Sequence, residues 1–332
     1  MSVLPRTWRR GGRSDLSAAD RREVPVRAAR PTTGRALGTL LAAAAVTTTL
    51  VTACGKPTSA PTATFSKMPA TASATASPTP TGTPTTSPTA APEPSVDVHA
   101  PAGLVALSDV DPTILQDIRY ATPHNFVGRP VVGYLEPMCI LTRQAAEALH
   151  QVQTAARAKG YSLKVYDCYR PQRAVDDFIN WGKRLEDQKM KAEFYPTLDK
   201  SVLFDQGYIA GPTAHSRGST MDLTLVALPA RAQRAYVPGE NLLPCTAPQA
   251  QRFPDNSIDM GTGFDCFDSL THTLDPRVTG QQMTNRLLLK QLMGNAGFKN
   301  YAEEWWHYSL SHEPYPDTYF NFPVARAALT RS

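Results

Sequence analysis

Two short segments of the chain combine histidine with carboxylate side chains at close spacing. The first reads Thr-Ala-His-Ser-Arg-Gly-Ser-Thr-Met-Asp and carries His215 and Asp222. The second reads Glu-Glu-Trp-Trp-His-Tyr and places Glu304 three residues before His307. Two histidines and one carboxylate suit zinc and leave one coordination position open for water, which is the pattern of a catalytic metal site. The sequence therefore predicts a zinc ion held by His215, Asp222 and His307, with Glu304 as the general base.

Each of these residues also has a structural interpretation. A single histidine often serves packing, Asp222 suits a turn or a cap, and Glu304 with His307 suits a surface ion pair. The spacing alone leaves these alternatives open. Other side chains compete for the same roles, with Glu303 as an alternative base and with His124, His312 and Cys168 as alternative ligands.

A third segment, Tyr-Asp-Cys-Tyr-Arg-Pro, places Arg170 between a predicted strand and a predicted helix. An arginine at the end of a strand can point into a cleft. Its planar fork of N–H donors would stabilise the negative charge that develops on a scissile carbonyl oxygen. The alternative role for Arg170 is that of a structural ion-pair partner.

The elements that position these segments follow from the hydrophobic pattern. Helices are predicted over residues 142–159, 171–185 and 281–294, and strands over residues 161–167 and 221–226 and from residue 308 onward. The apolar side of the last helix is predicted to consist of Met283, Leu287, Leu288 and Met293. Strands and helices do not alternate regularly, which predicts an α+β fold with a mainly antiparallel central sheet flanked by helices. Glu304 and His307 would face opposite sides of a regular strand, so a bend is required between them.

The first part of the chain has the composition of an export signal. Residues 1–53 contain nine arginines, no lysine and an apolar run that ends in small residues directly before Cys54. These features predict a signal peptide of the lipoprotein type, with Cys54 lipidated after cleavage. The following segment, residues 54–98, is rich in proline, threonine, serine and alanine, which predicts a disordered tether. The folded catalytic domain is then expected over residues 99–332, in a protein exported and anchored to the cell membrane, facing the cell wall.

The net charge of +5 is concentrated in this N-terminal part, because residues 1–53 alone carry +6 and the remainder carries −1. A nearly neutral domain has no basic surface of the kind that attracts nucleic acid, so a nucleic-acid partner is not expected.

Several motifs in a fixed order resemble the VanX type of D-alanyl-D-alanine dipeptidases, relatives of the zinc D-Ala-D-Ala carboxypeptidases. The resemblance covers roughly residues 120–324. It is carried by segments that begin with Tyr120-Ala-Thr, Asn125-Phe-Val-Gly-Arg-Pro, Asp167-Cys-Tyr-Arg-Pro, His215-Ser-Arg-Gly-Ser-Thr-Met-Asp-Leu-Thr-Leu, Glu304-Trp-Trp-His-Tyr and Glu313-Pro-Tyr-Pro.

The resemblance implies the same zinc ligands, base and arginine that the spacing suggested. It also implies that Tyr120, Thr213 and Asp265 line a small substrate cavity, although Tyr120 suits core packing equally well. Two positions depart from the family pattern: Thr213 stands where the family commonly has serine, and Thr220 where it commonly has alanine. A bulkier Thr220 near the metal would alter the shape of the cavity.

The implied function is zinc-dependent hydrolysis of the D-alanyl-D-alanine dipeptide to two D-alanines in cell-wall metabolism. One alternative is a D-Ala-D-Ala carboxypeptidase that acts on peptidoglycan stem peptides. A second alternative is a non-catalytic lipoprotein that binds the cell wall.

Four cysteines remain once Cys54 is assigned to a lipid, and they allow three pairings. Cys139 precedes a predicted helix, and Cys168 ends the strand that follows that helix. Because an oxidising compartment favours disulfides, we predict the pairs Cys139–Cys168 and Cys245–Cys266. The alternative is a set of buried free thiols.

Overall fold

The computed structural model describes residues 98–209 and 211–329. The predicted signal peptide, Cys54 and the predicted tether up to residue 97 lie outside the described residues. Within the described ranges, no helix combines the length and the apolar character that crossing a membrane requires.

The described residues form seven strands and five α-helices. The strands are Leu104–Ala106 (β1), Leu115–Gln116 (β2), Ile140–Thr142 (β3), Tyr161–Asp167 (β4), Thr220–Ala227 (β5), Phe298–Asn300 (β6) and His307–Leu310 (β7). The α-helices are Leu107–Val110 (α1), Arg143–Arg157 (α2), Gln172–Lys183 (α3), Lys191–Phe194 (α4) and Gly280–Asn295 (α5).

The central sheet has five strands in the order β2-β4-β5-β7-β6. Only the β2–β4 pair is parallel within this sheet, and the other three pairs are antiparallel. A separate antiparallel pair joins β1 to β3. The α+β class with a mainly antiparallel sheet is therefore confirmed.

Helix α2 begins and ends where its sequence indicates. The Thr142 side chain accepts a hydrogen bond from the backbone N–H of Ala145, which caps the helix at a distance of 3.4 Å. Its buried face carries small and aliphatic side chains, including Leu149 and Val152. Gly160, at a φ of +82°, then reverses the chain into β4.

Strand β4 is buried on both faces. Lys164 is almost fully buried, and its ammonium group donates to Asp255 at 2.5 Å. Asp117 lies 3.7 Å from the same ammonium group. The charge of Lys164 is thus matched by carboxylates that arrive from distant parts of the sequence.

Helix α5 buries only part of the predicted face, since Met293 is buried and Leu288 packs against the core, but Leu287 does not. Leu287 is 46% exposed, while the neighbouring Arg286 is fully buried. The Arg286 guanidinium occupies this interior position because it donates to three backbone carbonyls, those of Met260, Leu270 and His272. The hydrophobic pattern of α5 could not reveal these acceptors, which belong to a separate loop.

Two disulfides have the pairing that the sequence predicted. Cys139 is bonded to Cys168 and Cys245 to Cys266, with Cα–Cα distances of 5.3 and 5.6 Å, both within the usual range. Since Cys168 is engaged in a disulfide, it does not serve as a metal ligand.

Candidate active site

The sheet register aligns three acidic or basic residues in one row. Asp167 pairs with Asp222 across β4 and β5, and Asp222 pairs with His307 across β5 and β7. Strand pairing places directly opposed side chains on the same face of the sheet. The backbone alone therefore brings Asp222 and His307 together.

His215 reaches this row from a short 3₁₀ turn, Ala214–Arg217. Thr213 caps the turn, and Gly218 ends it with a φ of +79°, a backbone conformation that glycine adopts without strain. The His215 Nδ1 atom donates to the backbone carbonyl of Cys168 at 2.8 Å. This bond leaves the Nε2 lone pair of a neutral imidazole free to coordinate a cation.

Three potential ligand atoms converge at this point. The Nε2 atom of His215 lies 3.3 Å from Oδ1 of Asp222 and 3.3 Å from Nδ1 of His307, and the last two atoms are 3.1 Å apart. A tetrahedral zinc ion with bonds of about 2.0–2.1 Å separates its ligand atoms by about 3.3 Å. The three atoms thus already have the spacing that a zinc ion requires.

Asp222 Oδ1 supports the same interpretation. It is buried and, among the described residues, makes no hydrogen bond of good geometry. A buried carboxylate oxygen without a partner is costly, and a bound cation would compensate for that cost. The donor set of two imidazoles and one carboxylate therefore fits a divalent metal ion.

The electrostatics of the cluster are those of a cation site. Burial disfavours the charge on Asp222, but the two histidines outweigh it and hold the pKa of this carboxyl well below its usual range. Burial also disfavours a charged His307, yet the neighbouring carboxylates of Asp222 and Glu304 raise the pKa of its imidazole to about 9. Metal binding would displace that proton.

Glu304 lies in a turn immediately before β7. The turn is closed by the backbone N–H of His307, which donates to the carbonyl of Glu304 at 3.3 Å. This is the bend that the odd spacing required, and it brings Glu304 Oε2 to 3.4 Å from the Nδ1 atom of His307. The alternative base, Glu303, is exposed and accepts a hydrogen bond from the Tyr301 hydroxyl instead.

Arg170 combines an ion pair with access to the cavity. Its Nε and Nη2 atoms each lie 2.9 Å from Asp167 Oδ2, and Nη2 lies 3.6 Å from Asp222 Oδ2. The guanidinium also stacks on the ring of Tyr120, 5.0 Å from its centre. The ion-pair role of Arg170 is therefore present, and the same ion pair orients the fork toward the cluster of His215, Asp222 and His307.

Sequence reasoning assigned no role to Asp167, which is completely buried beside Arg170. It also accepts a hydrogen bond from the Tyr134 hydroxyl at 2.6 Å and lies 3.4 Å from His215 Nδ1. Its position three residues before Arg170 was the available signal. Asp167 links Arg170 to His215.

A cavity of about 360 Å³ opens above the cluster. All eight residues predicted for ligation, catalysis or substrate binding line it: Tyr120, Arg170, Thr213, His215, Asp222, Asp265, Glu304 and His307. Thr220 does not contribute to this lining, and its hydroxyl is hydrogen-bonded to that of Ser309 at 2.7 Å. The expectation that Thr220 alters the cavity is therefore not met.

Asp265 forms part of the cavity wall and accepts a hydrogen bond from the Tyr120 hydroxyl at 2.8 Å. Burial and the nearby charge of Asp222 raise the pKa of Asp265 to about 8. The alternative histidines lie elsewhere: His124 is paired with Glu193 at 3.0 Å, and His312 is exposed.

Comparison with known proteins identifies the family of this chain. The family model described as D-ala-D-ala dipeptidase matches residues 100–230 and 254–325, which is more than half of the chain. The chain belongs to the D-Ala-D-Ala dipeptidase family. The resemblance read from the sequence is thereby confirmed, and the protein is an enzyme of the peptidase class.

Curated D-Ala-D-Ala dipeptidases align with most of the described residues. The D-alanyl-D-alanine dipeptidase of Streptomyces coelicolor is 40% identical over 209 residues, which cover 63% of this chain and 92% of that protein. The dipeptidase of Enterococcus faecalis is 38% identical and covers 67% of this chain and 98% of its own. That of Escherichia coli is 30% identical and covers 62% of this chain and 84% of its own.

Proposed function

We propose that this protein hydrolyses D-alanyl-D-alanine to two D-alanines with one zinc ion held by His215, Asp222 and His307. The observation that carries the proposal is the convergence of three ligand atoms, 3.1–3.3 Å apart, at a cavity that Glu304 and Arg170 also line. When bound, zinc supplies Lewis-acid chemistry, because it polarises a carbonyl and makes water acidic enough to lose a proton near neutral pH.

Glu304 moves the protons of the reaction. Its carboxylate lies beside the metal-binding nitrogen of His307 and is about one-third exposed, so it can reach a water molecule in the cavity. In the proposed reaction it accepts a proton from the attacking water and returns it to the amine of the leaving D-alanine. Arg170, fixed by Asp167, donates to the oxygen that becomes negative at the scissile carbonyl.

Asp265 favours a free dipeptide over a longer substrate. A dipeptide carries a positively charged amine, and a buried carboxylate hydrogen-bonded to Tyr120 is suited to receive it. Such a cation would also restore the charged form of Asp265, whose pKa burial has raised to about 8. A stem peptide presents a neutral amide at that place and would leave the carboxylate without a counter-charge.

The experiment compares D-Ala-D-Ala with its N-acetylated form and with a stem pentapeptide that ends in D-Ala-D-Ala, using protein of measured zinc content. We expect hydrolysis of the free dipeptide and a loss of at least about 100-fold in kcat/KM on acetylation. Preference for the pentapeptide would support the carboxypeptidase alternative. Zinc-loaded protein that hydrolyses none of the three would support the non-catalytic alternative.

We further propose that the protein acts outside the cytoplasm in cell-wall metabolism, anchored through a lipid on Cys54, with residues 54–98 as a tether. Two disulfides in the catalytic domain support an oxidising compartment. The test is metabolic labelling with a radioactive fatty acid. The wild-type chain is expected to be labelled and Cys54→Ser unlabelled, and equal labelling of both would reject the anchor.

A further inference from the structure

The loop that carries Asp265 is fixed at several points, and these points lie outside the proposed catalytic machinery. We define the Asp265 loop as residues 260–272. Asp265 has a φ of +58°, and among the described residues no other non-glycine residue has a positive φ. This backbone conformation is unfavourable for a residue with a side chain and persists only where the surrounding structure compensates for it. Something in the fold must therefore hold the loop in place.

The first fixed point is the Cys245–Cys266 disulfide, which is formed by the residue next to Asp265. The backbone N–H of Gly263 also donates to the carbonyl of Cys245 at 2.8 Å. Cys245 is in turn tied to helix α4, because its own N–H donates to the carbonyl of Glu193 at 2.8 Å. The centre of the Asp265 loop is thus clamped to a neighbouring part of the fold.

The second fixed point is Arg286, which joins the two ends of the loop. Its Nε atom donates to the carbonyl of Met260 at 2.6 Å. Its Nη1 and Nη2 atoms donate to the carbonyls of His272 and Leu270 at 2.7 and 3.0 Å. Burying a guanidinium is costly, and burial lowers the pKa of Arg286 to about 10. The Arg286 side chain thus joins the two ends of the Asp265 loop, despite the cost of burying its charge.

Aromatic contacts support the loop between these points. The ring of Phe264 stacks on Tyr166 with ring centres 4.4 Å apart, and the Trp305 indole donates to the Thr262 hydroxyl at 2.8 Å. The residues on both sides of Asp265 are therefore held, while its carboxylate faces the cavity.

We propose that Arg286 and the Cys245–Cys266 disulfide are positioning residues that hold the Asp265 carboxylate ready for the ammonium group of the substrate. This inference rests on the proposed function. Releasing either fixed point lets Asp265 relax toward a favoured backbone conformation and moves its carboxylate away from the amine. The metal ligands, Glu304 and Arg170 lie on other elements, so substrate binding is expected to suffer much more than turnover at saturation.

The test measures kcat and KM for D-Ala-D-Ala in Arg286→Met, Arg286→Lys and the double variant Cys245→Ala/Cys266→Ala. We expect Arg286→Met and the double variant to raise KM about 10- to 100-fold, the loss that follows from a weakened charge-assisted contact, with kcat within about threefold of wild type. Arg286→Lys, which keeps the positive charge and some donors, is expected to recover part of the loss.

A general loss of stability needs its own control. Leu149→Ala removes a buried side chain of α2, a helix that contributes no residue to the cavity. It is expected to lower the urea midpoint of unfolding and to leave KM unchanged. If Leu149→Ala raised KM as much as Arg286→Met, the effect would be one of stability and the inference would fail.

A double variant tests whether Arg286 affects substrate binding through Asp265. In an Asp265→Asn background, Arg286→Met is expected to raise KM no further, because the contact that it positions is already gone. A full additional rise would overturn the inference. If Arg286→Met fails to fold, the double cysteine variant and Arg286→Lys carry the same comparison.

The wild-type measurement distinguishes a failure of the proposed function from a failure of the positioning inference. If wild-type protein with zinc bound does not hydrolyse D-Ala-D-Ala, the proposed function fails. If wild type is active and Asp265→Asn raises KM while the Arg286 and cysteine variants keep the wild-type KM, only the positioning inference fails.

Discussion

Replacing Glu304 by glutamine tests the assignment of the general base. Glutamine keeps the shape and polarity of the side chain but cannot accept a proton near neutral pH. General base catalysis contributes about 10²- to 10⁴-fold, which corresponds to about 2.7–5.4 kcal/mol at about 1.36 kcal/mol per decade. We expect kcat for D-Ala-D-Ala to fall within that range in Glu304→Gln.

Zinc content is expected to remain at the wild-type level in Glu304→Gln. Glu304 lies in the turn before β7, and the three predicted ligand atoms belong to other side chains. Although Glu304 Oε2 lies 3.4 Å from His307 Nδ1, Glu304 supplies none of the three predicted ligand atoms, so the cluster of His215, Asp222 and His307 keeps all its donors in Glu304→Gln. The assay is steady-state release of D-alanine, with metal analysis on the same preparations.

Glu303→Gln is the matched control. Glu303 is the adjacent residue and has the same chemistry, but its carboxylate is exposed and accepts a hydrogen bond from Tyr301. Its replacement is expected to change kcat less than about twofold, as is usual for surface positions. The reasoning is refuted if Glu304→Gln keeps more than about one-tenth of wild-type turnover, or if Glu303→Gln loses as much as Glu304→Gln.

Three further outcomes are expected. His307→Ala should lower zinc affinity at least about tenfold, measured as metal content after dialysis, and full retention of zinc would exclude His307 as a ligand. Arg170→Lys keeps the charge but loses the fork, so kcat should fall about 100-fold with zinc retained, and an unchanged kcat would remove Arg170 from oxyanion stabilisation. Burial raises the pKa of Asp265 from 3.8 to about 8, so its contribution to the stability of metal-free protein is complete below about pH 4 and is lost as pH rises toward 8. Asp265→Asn should remove that loss, measured by urea unfolding at pH 5 and pH 8, and identical pH profiles would show that the shift is absent.

Local signals in the sequence were sufficient for the elements around the site. Thr142 and Gly160 mark the two ends of α2 because a capping hydroxyl and a positive φ act within a few residues. Likewise, the odd spacing of Glu304 and His307 required a bend, and the turn before β7 supplies it. The residues of the candidate metal cluster were also identifiable, because their types and order form long motifs.

Long-range contacts account for what the sequence did not reveal. Lys164 is buried in β4, where Asp255 and Asp117 match its charge. Arg286 replaces Leu287 on the buried face of α5 because its acceptors are carbonyls of a loop that is distant in sequence. Such partners depend on tertiary structure, which the periodicity of a single segment does not encode.

The pairing of Asp222 with His307 also bears on how the chain finds its native sheet. A shift of β7 by one residue would turn His307 to the other face and bring Trp306 or Tyr308 opposite Asp222. Neither aromatic side chain can replace the imidazole as a metal ligand. A cation with affinity for this cluster would thus stabilise only the native alignment of the two strands. It would favour that register over shifted ones during folding.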